Sequence, residues 1–280
     1  MTSPNAQQIE FWNSDEAGHW VRDQGRYDAM LAPFTDVVVE RARLARDANV
    51  IDVGCGTGAT TRAAARLATD GHATGIDVSV PMIDAARRSA AAQAVTNVTF
   101  TVADAQTNNF SPDADMILSR FGVMFFDDPV AAFTNLRTAL ADRGRVAFAC
   151  WQPMLDNEWM SVPLMAVLAH VAPPPPPDPD APGPFSFGAR DRVAEILTAA
   201  GFRHIDIEPF TTRILVGGPG TVADAVEFMR STGMGRLLLA DPQATGVRAA
   251  LDGMGEALAP HLDADSVRLG AATWIVTAEA

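Results

Sequence analysis

The run Val50-Ile51-Asp52-Val53-Gly54-Cys55-Gly56-Thr57-Gly58 constrains this 280-residue chain more than any other stretch. Apolar residues around a single acid read as a buried strand, glycines at alternate positions as a tight turn, and the alanine-rich run from Ala59 as a helix. A strand that passes through a glycine turn into a helix brings bare backbone to the carboxyl edge of a parallel sheet, where a ligand can approach. The alternation continues downstream. Apolar runs at 73–77, 98–102, 114–118 and 145–150 are separated by helical stretches at 59–69, 81–92 and 129–141. Pro81 stands near a helix start, and Gly71 and Gly144 stand where helices should stop. These are βαβ units, and they predict a doubly wound, mostly parallel α/β sheet of the Rossmann-like kind. Strands over 202–210 and 267–277 bring the expected number to seven.

Four regions follow from the pattern. Residues 1–47 form an N-terminal helical lid, whose Phe11, Trp12, Trp20, Tyr27 and Phe34 predict two helices on the sheet or over its mouth. Residues 48–151 are the binding core. Residues 152–190 are an apolar helical cap with Met154, Trp159, Met160, Met165, Phe185 and Phe187 beside Trp151, and they include the proline-rich loop 173–184, read as an extended surface spacer. Residues 191–280 begin with a helix over 190–200 and complete the sheet, with a helical insertion at 221–260.

Composition removes several functions. All 21 basic residues are arginine, so neither a Schiff-base lysine nor the lysine of a Walker A loop is available. A formal charge of −13 disfavours nucleic acid, whose binding relies on cations at phosphates. No apolar run is long enough to span a membrane and the N-terminus lacks a secretory pattern, so a cytoplasmic location with no membrane partner is expected. Two cysteines and five scattered histidines predict neither a disulfide framework nor a dedicated metal site, though a metal held jointly with a substrate stays open.

Electrostatics sharpens the reading of the glycine turn. Gly54, Gly56 and Ala59 formally satisfy the dinucleotide pattern, which would place a pyrophosphate at the turn. Asp52 ends the strand just before it, with no arginine in the loop, and a carboxylate there repels phosphate. S-adenosylmethionine (SAM) carries an ammonium and a sulfonium and no phosphate, so the same acid attracts it. Asp77 closes the next strand where a carboxylate accepts bonds from ribose hydroxyls, and Asp104 closes the third, placed to meet an adenine amino group. Each acid alone could equally cap a turn or a helix.

These residues resemble the class I SAM-dependent methyltransferases: IDVGCGTG is similar to their first motif, GIDVSVPMI to the second and VADAQ to the third, across about residues 45–150. VRLGAATWIVTAEA is similar to the strand which that family inserts antiparallel near the sheet edge. The resemblance implies that Asp52 and the glycine loop (Gly54, Cys55, Gly56, Gly58) hold the methionine portion and Asp77 the ribose. It places Val78 and Met82 on the adenine faces, Asp104 and Ala105 at its edge, and Ser119 and Phe121 near the methyl group. Phe11-Trp12-Asn13, Trp20 to Gln24 and Ser119 to Phe125 further resemble ubiquinone/menaquinone-biosynthesis-like bacterial methyltransferases, often of secondary metabolism, which would put Trp20 and Tyr27 in a lid over the cofactor.

The expected activity is methyl transfer from SAM to a small, fairly apolar metabolite, with oxygen favoured over nitrogen or carbon. Ser119-Arg120-Phe121-Gly122 stands where amide- and base-methylating relatives carry an Asn/Asp-Pro-Pro-aromatic motif. Candidate bases are His19, Glu158 and His170, and Arg120 either binds an acidic substrate group or pairs with Asp127 or Asp128. A small-molecule substrate is the expected partner, and a homodimer is open to the chain. Two other readings stand beside this one: a non-methylating protein on the same fold, such as a pericyclase, isomerase or ligand sensor, and an NAD-dependent oxidoreductase.

Overall fold

The computed structural model describes residues 5–175, 181–239, 241 and 246–280. Three helices open the chain: α1 (Ala6–Trp12), α2 (Asp15–Arg22) and α3 (Gln24–Ala42). The core then alternates β1 (Asn49–Val53), α4 (Ala59–Leu67), β2 (His72–Asp77), α5 (Val80–Ala92), β3 (Val98–Val102), β4 (Ala114–Arg120), α6 (Pro129–Ala139) and β5 (Leu140–Trp151). After it come α7 (Glu158–Leu168), α8 (Arg190–Ala199), β6 (Arg203–Leu215), α9 (Val222–Ser231), α10 (Gly233–Leu239), α11 (Val247–Leu258), β7 (Leu262–Asp263) and β8 (Ser266–Glu279).

Seven strands run in the order β3-β2-β1-β4-β5-β8-β6, with the two-residue β7 folded back on β8. Strands β1 to β5 are parallel, and β8 enters antiparallel between β5 and β6. The strand order reverses between β1 and β4, so their carboxyl ends diverge into the crevice where open α/β sheets take ligands. Both faces are covered. Phe34 of α3 meets Trp151 on one face of β5, and Phe133 of α6 meets Phe148 on the other.

The N-terminal region holds three helices where two were expected. Ser14 breaks the run by accepting the Glu16 amide, which starts α2, and Asp23 separates α2 from α3. Helix starts in the core follow their cap chemistry: Ser79 accepts from Met82 N at α5, and Asp128 from Ala131 N, with Pro129 behind it, at α6. The lid is tied to the late helices. Arg26 donates to Gly217 O (2.6 Å) and Asp224 O (2.6 Å), Tyr27 packs on Phe228, and Glu16 pairs with Arg236.

Apolar residues of the cap pack on the late helices. Helix α7 packs mainly on α11, and Met160 joins Met229, Met234 and Met254 around a cavity of about 20 Å³. That space fits one water rather than a substrate, so these methionines form the cap's own core. Met165 is 62% exposed and lies outside that lining. Residues 176–180 of the proline-rich loop lie outside the described residues. Its downstream end is no free spacer: Gly183 N and Ser186 Oγ both donate to Met124 O, and Phe187 is buried. Among the described residues no helix is long and apolar enough to cross a membrane.

Candidate functional site

Loops from the carboxyl ends of β1, β2, β3 and β4 share one edge of the sheet. Asp52 is buried beneath the first of them. Its Oδ2 accepts the Thr61 hydroxyl at 2.6 Å, whereas its buried Oδ1 has no hydrogen-bond partner. Burial pushes this carboxyl up to about 7, against the pull of the Thr61 hydroxyl and the Arg120 charge. The turn above it is close-fitted. Gly54 has φ +63°, and a Cβ there would lie 2.7 Å from Gly122 Cα. Gly58 has φ +80°, and a Cβ there would strike the Phe100 ring at 2.7 Å. A Cβ on Gly56 would meet only the Met82 sulfur, at 3.7 Å, so this glycine leaves bare backbone beside open space. Cys55 is buried with its sulfur turned towards Gly75, where an added Cβ would meet it at 2.9 Å, so it contributes its backbone rather than its thiol.

Asp77 at the end of β2 organises that loop. Its Oδ2 accepts Gly56 N–H (2.8 Å) and its Oδ1 accepts Ser79 N–H (2.9 Å). Burial raises its carboxyl and these amides pull it back. Each oxygen keeps a lone pair for a further donor, so bracing the loop and receiving ribose hydroxyls are compatible. Met82 is buried behind Gly56. Asp104 after β3 accepts Gln106 N (2.9 Å) and Asn5 Nδ2 (2.8 Å) on Oδ1, leaving Oδ2 with a 3.3 Å contact to Thr107. Ala105 beside it is buried.

Two asparagines to which the sequence assigned no role close this side of the crevice. Asn5, which caps the start of α1, exchanges bonds of 2.7 Å with Asp127 while donating to Asp104. Asn13, which caps its end, donates to Val78 O (2.9 Å) and accepts from Val80 N (3.0 Å). Helix α1 is thus a bar pinned at both ends across the loops of β2, β3 and β4. These contacts join residues 65 to 122 positions apart, and no local signal announces them.

At the end of β4, Ser119 is wholly buried; its hydroxyl donates to Val53 O (2.8 Å) and accepts Gly122 N–H (3.2 Å), so it binds strand end to strand end. Phe121 sits at φ +65°, unusual for a bulky residue, and is stacked on Trp151 at 4.0 Å. Phe34 and Trp159 extend this aromatic wall into α3 and the cap. Trp20 stacks on Tyr27 at 3.7 Å and donates to Glu16, so its ring is committed to packing within the lid. Trp12 also reaches the β4 loop, edge-on to Phe125.

Arg120 corrects one expectation. It pairs with neither Asp127 nor Asp128; it points to the α3 side, donating from Nη1 to Thr35 Oγ1 (2.7 Å). The candidate bases do not converge. His19 contacts Arg22 on α2, exposed Glu158 accepts Gly270 N–H (2.9 Å), and His170 is exposed beyond α7.

The site suits SAM on two features of its own: the orphaned Asp52 Oδ1 beneath the turn, ready for an ammonium, and the glycine cradle above it, in which Gly54 and Gly58 leave no room for a Cβ. Comparisons agree. Residues 50–144 match the methyltransferase domain family. Aklanonic acid methyltransferase DauC of Streptomyces sp. (strain C5) is 32% identical over 130 residues, 44% of this chain and 59% of that protein, so the chain spans under two thirds of it. Nocamycin O-methyltransferase of Saccharothrix syringae is 30% identical over 192 residues, 64% of this chain and 69% of that protein. The solved structure of YcgJ from Bacillus subtilis shares the fold at 15% identity, with a TM-score of 0.55 over 89% of this chain and 98% of that one.

Proposed function

This chain belongs to the class I SAM-dependent methyltransferases, and from that membership we propose that it methylates an oxygen of a small, fairly apolar metabolite in the cytoplasm. The observation that carries the apolar acceptor is the wall Phe34–Phe121–Trp151–Trp159, which lies where β4 and β5 end, beside the glycine crevice. The preference for oxygen draws support from nocamycin O-methyltransferase, the relative matched over the greater length.

Bound SAM supplies a sulfonium-activated methyl group open to in-line displacement. The chain's part is to position and to exclude water. Asp52 and the glycine turn hold the amino-acid end, Asp77 braces the turn and receives the ribose, and Val78, Met82, Asp104 and Ala105 frame the adenine. The α1 bar covers that side, and the aromatic wall keeps the acceptor side dry. Reactions of this kind do not require a dedicated base. Should the acceptor hydroxyl need one, His19, Glu158 and His170 are the residues to substitute.

The test is incubation with methyl-labelled SAM and a panel of hydroxylated and carboxylated aromatic metabolites. Label appearing as a methyl ether or ester supports the reading. S-adenosylhomocysteine (SAH) binding without transfer to any acceptor would favour a non-methylating protein on this fold.

A further inference from the structure

Arg120 is held on one side only. Both of its hydrogen bonds leave from Nη1, to Thr35 Oγ1 at 2.7 Å and, more loosely, to Leu31 O at 3.5 Å. In a guanidinium, Nη1 lies on the side of Cδ, so those bonds leave the opposite edge intact. That edge, Nε–H with Nη2–H, is the fork that receives a carboxylate through two parallel bonds. Its Nε is buried with no hydrogen-bond partner. A buried donor left without a partner is uncommon enough to call for a cause.

Among the described residues no hydrogen bond or ion pair uses the fork. Asp28 pairs with Arg62 at 3.8 Å, and Arg62 in turn donates to Thr57 O (2.7 Å), which buttresses the glycine loop. Asp52 stands opposite Leu118 on the neighbouring strand, two residues before Arg120, yet no ion pair joins the two side chains. Asp52 has its own orphan, Oδ1, also buried. One site therefore presents an unsatisfied carboxyl oxygen that bears negative charge once ionised and an unsatisfied donor edge bearing positive charge. The ligand that answers both carries an ammonium and a carboxylate on a single carbon, as the amino-acid end of SAM does.

We propose that Arg120 anchors the carboxylate of that amino-acid end while Asp52 receives its ammonium, so that the buried pair grips the zwitterion from both sides. The proposal rests on the SAM reading above and adds to it a residue that decides between ligands with and without a carboxylate.

Calorimetric titration of wild type, Arg120→Met and Arg120→Lys with SAH and with 5′-methylthioadenosine, which lacks the amino-acid end, tests it. SAH should bind Arg120→Met about 10-fold to 100-fold more weakly, and Arg120→Lys by less. Methylthioadenosine should bind all three alike, which also certifies their folding. Loss of both ligands in equal measure, or no loss of SAH, overturns the assignment; the latter is expected if Arg120 serves the methyl acceptor. A parallel measurement needs no variant: decarboxylated SAH should bind wild type about as weakly as SAH binds Arg120→Met, and equal affinity for the two would overturn the anchor. If wild type binds neither SAH nor methylthioadenosine, it is the SAM reading that falls.

Discussion

Gly54, the first residue beyond β1, and Gly122, the second beyond β4, meet backbone to backbone. A Cβ on Gly54 would lie 2.7 Å from Gly122 Cα, and a Cβ on Gly122 would lie 2.6 Å from Val53 O. The crevice therefore owes its shape to two strand ends that no side chain separates, tied by the Ser119 hydroxyl. Gly122 has no positive φ, so its need for glycine is purely one of space. Gly122→Ala should cost about 1–3 kcal/mol by overpacking and lower the thermal midpoint by roughly 2–10 °C. SAH affinity should fall with it, because the displaced partner is the cofactor turn. An unchanged melting curve would mean that the two loops have slack the geometry does not suggest.

Asp77 carries two duties at once, bracing the amides of Gly56 and Ser79 and facing the ribose. Asp77→Ala should weaken SAH binding by about 1–3 kcal/mol, the range for lost charged hydrogen bonds. Asp77→Asn should also weaken it, because its amide can accept from only one of the two backbone donors. Titration calorimetry reads both, and an Asp77→Ala protein that binds SAH as wild type does would remove the ribose assignment.

The α1 bar predicts a kinetic effect. Asn5→Ala removes the carboxamide that joins Asp104 to Asp127 and leaves the far end of α1 held by Asn13. With the two carboxamide bonds gone and only the backbone N–H of residue 5 still on Asp127, SAH should leave about fivefold to tenfold faster, consistent with the loss of hydrogen bonds worth about 1 kcal/mol net. Trp12 beside Phe125 offers a fluorescence signal for stopped-flow measurement. A release rate unaltered by Asn5→Ala would mean that the bar does not gate the crevice.

How far the chain announced this site depends on the range of each interaction. Asp52, Asp77 and Asp104 were legible because a strand, its terminal acid and the turn after it are contiguous, and hydrophobic alternation locates all three. Asn5 and Gly122 were not. Asn5 acts on Asp104 across 99 positions, and the demand on Gly122 comes from a strand nearly seventy residues earlier, visible only when β1 and β4 lie side by side. The cap shows the same limit from the other direction: a dense run of Met and Trp signals burial but not what buries it, and of the two methionines of α7 Met160 packs towards α9, α10 and α11 while Met165 is exposed. His19, Glu158 and His170 had chemistry but no spatial warrant, and the fold leaves them apart.

The buried acids give the site a pH dependence whose sign can be worked out. Burial holds the Asp52 carboxyl up to about 7 in the free protein and raises Asp77 in the same direction. The folded chain thus keeps protons on these groups that the unfolded chain has released, so folding stability should decline as pH climbs from about 4 to about 7 and level off above. Ligand affinity should run the opposite way. An ammonium bound at Asp52 favours the carboxylate, so the proton must leave when SAH arrives, and at pH 6 only about a tenth of the sites are already ionised. SAH should therefore bind roughly tenfold more tightly at pH 8 than at pH 6, with proton release on binding that shrinks over the same interval. Asp52→Asn should abolish most of this slope and bind as weakly at pH 8 as wild type does at pH 6 or worse. Calorimetry in buffers of different ionisation enthalpy counts the released proton directly. A wild-type affinity flat between pH 6 and pH 8 would show that Asp52 does not meet the ligand as a freshly ionised acid.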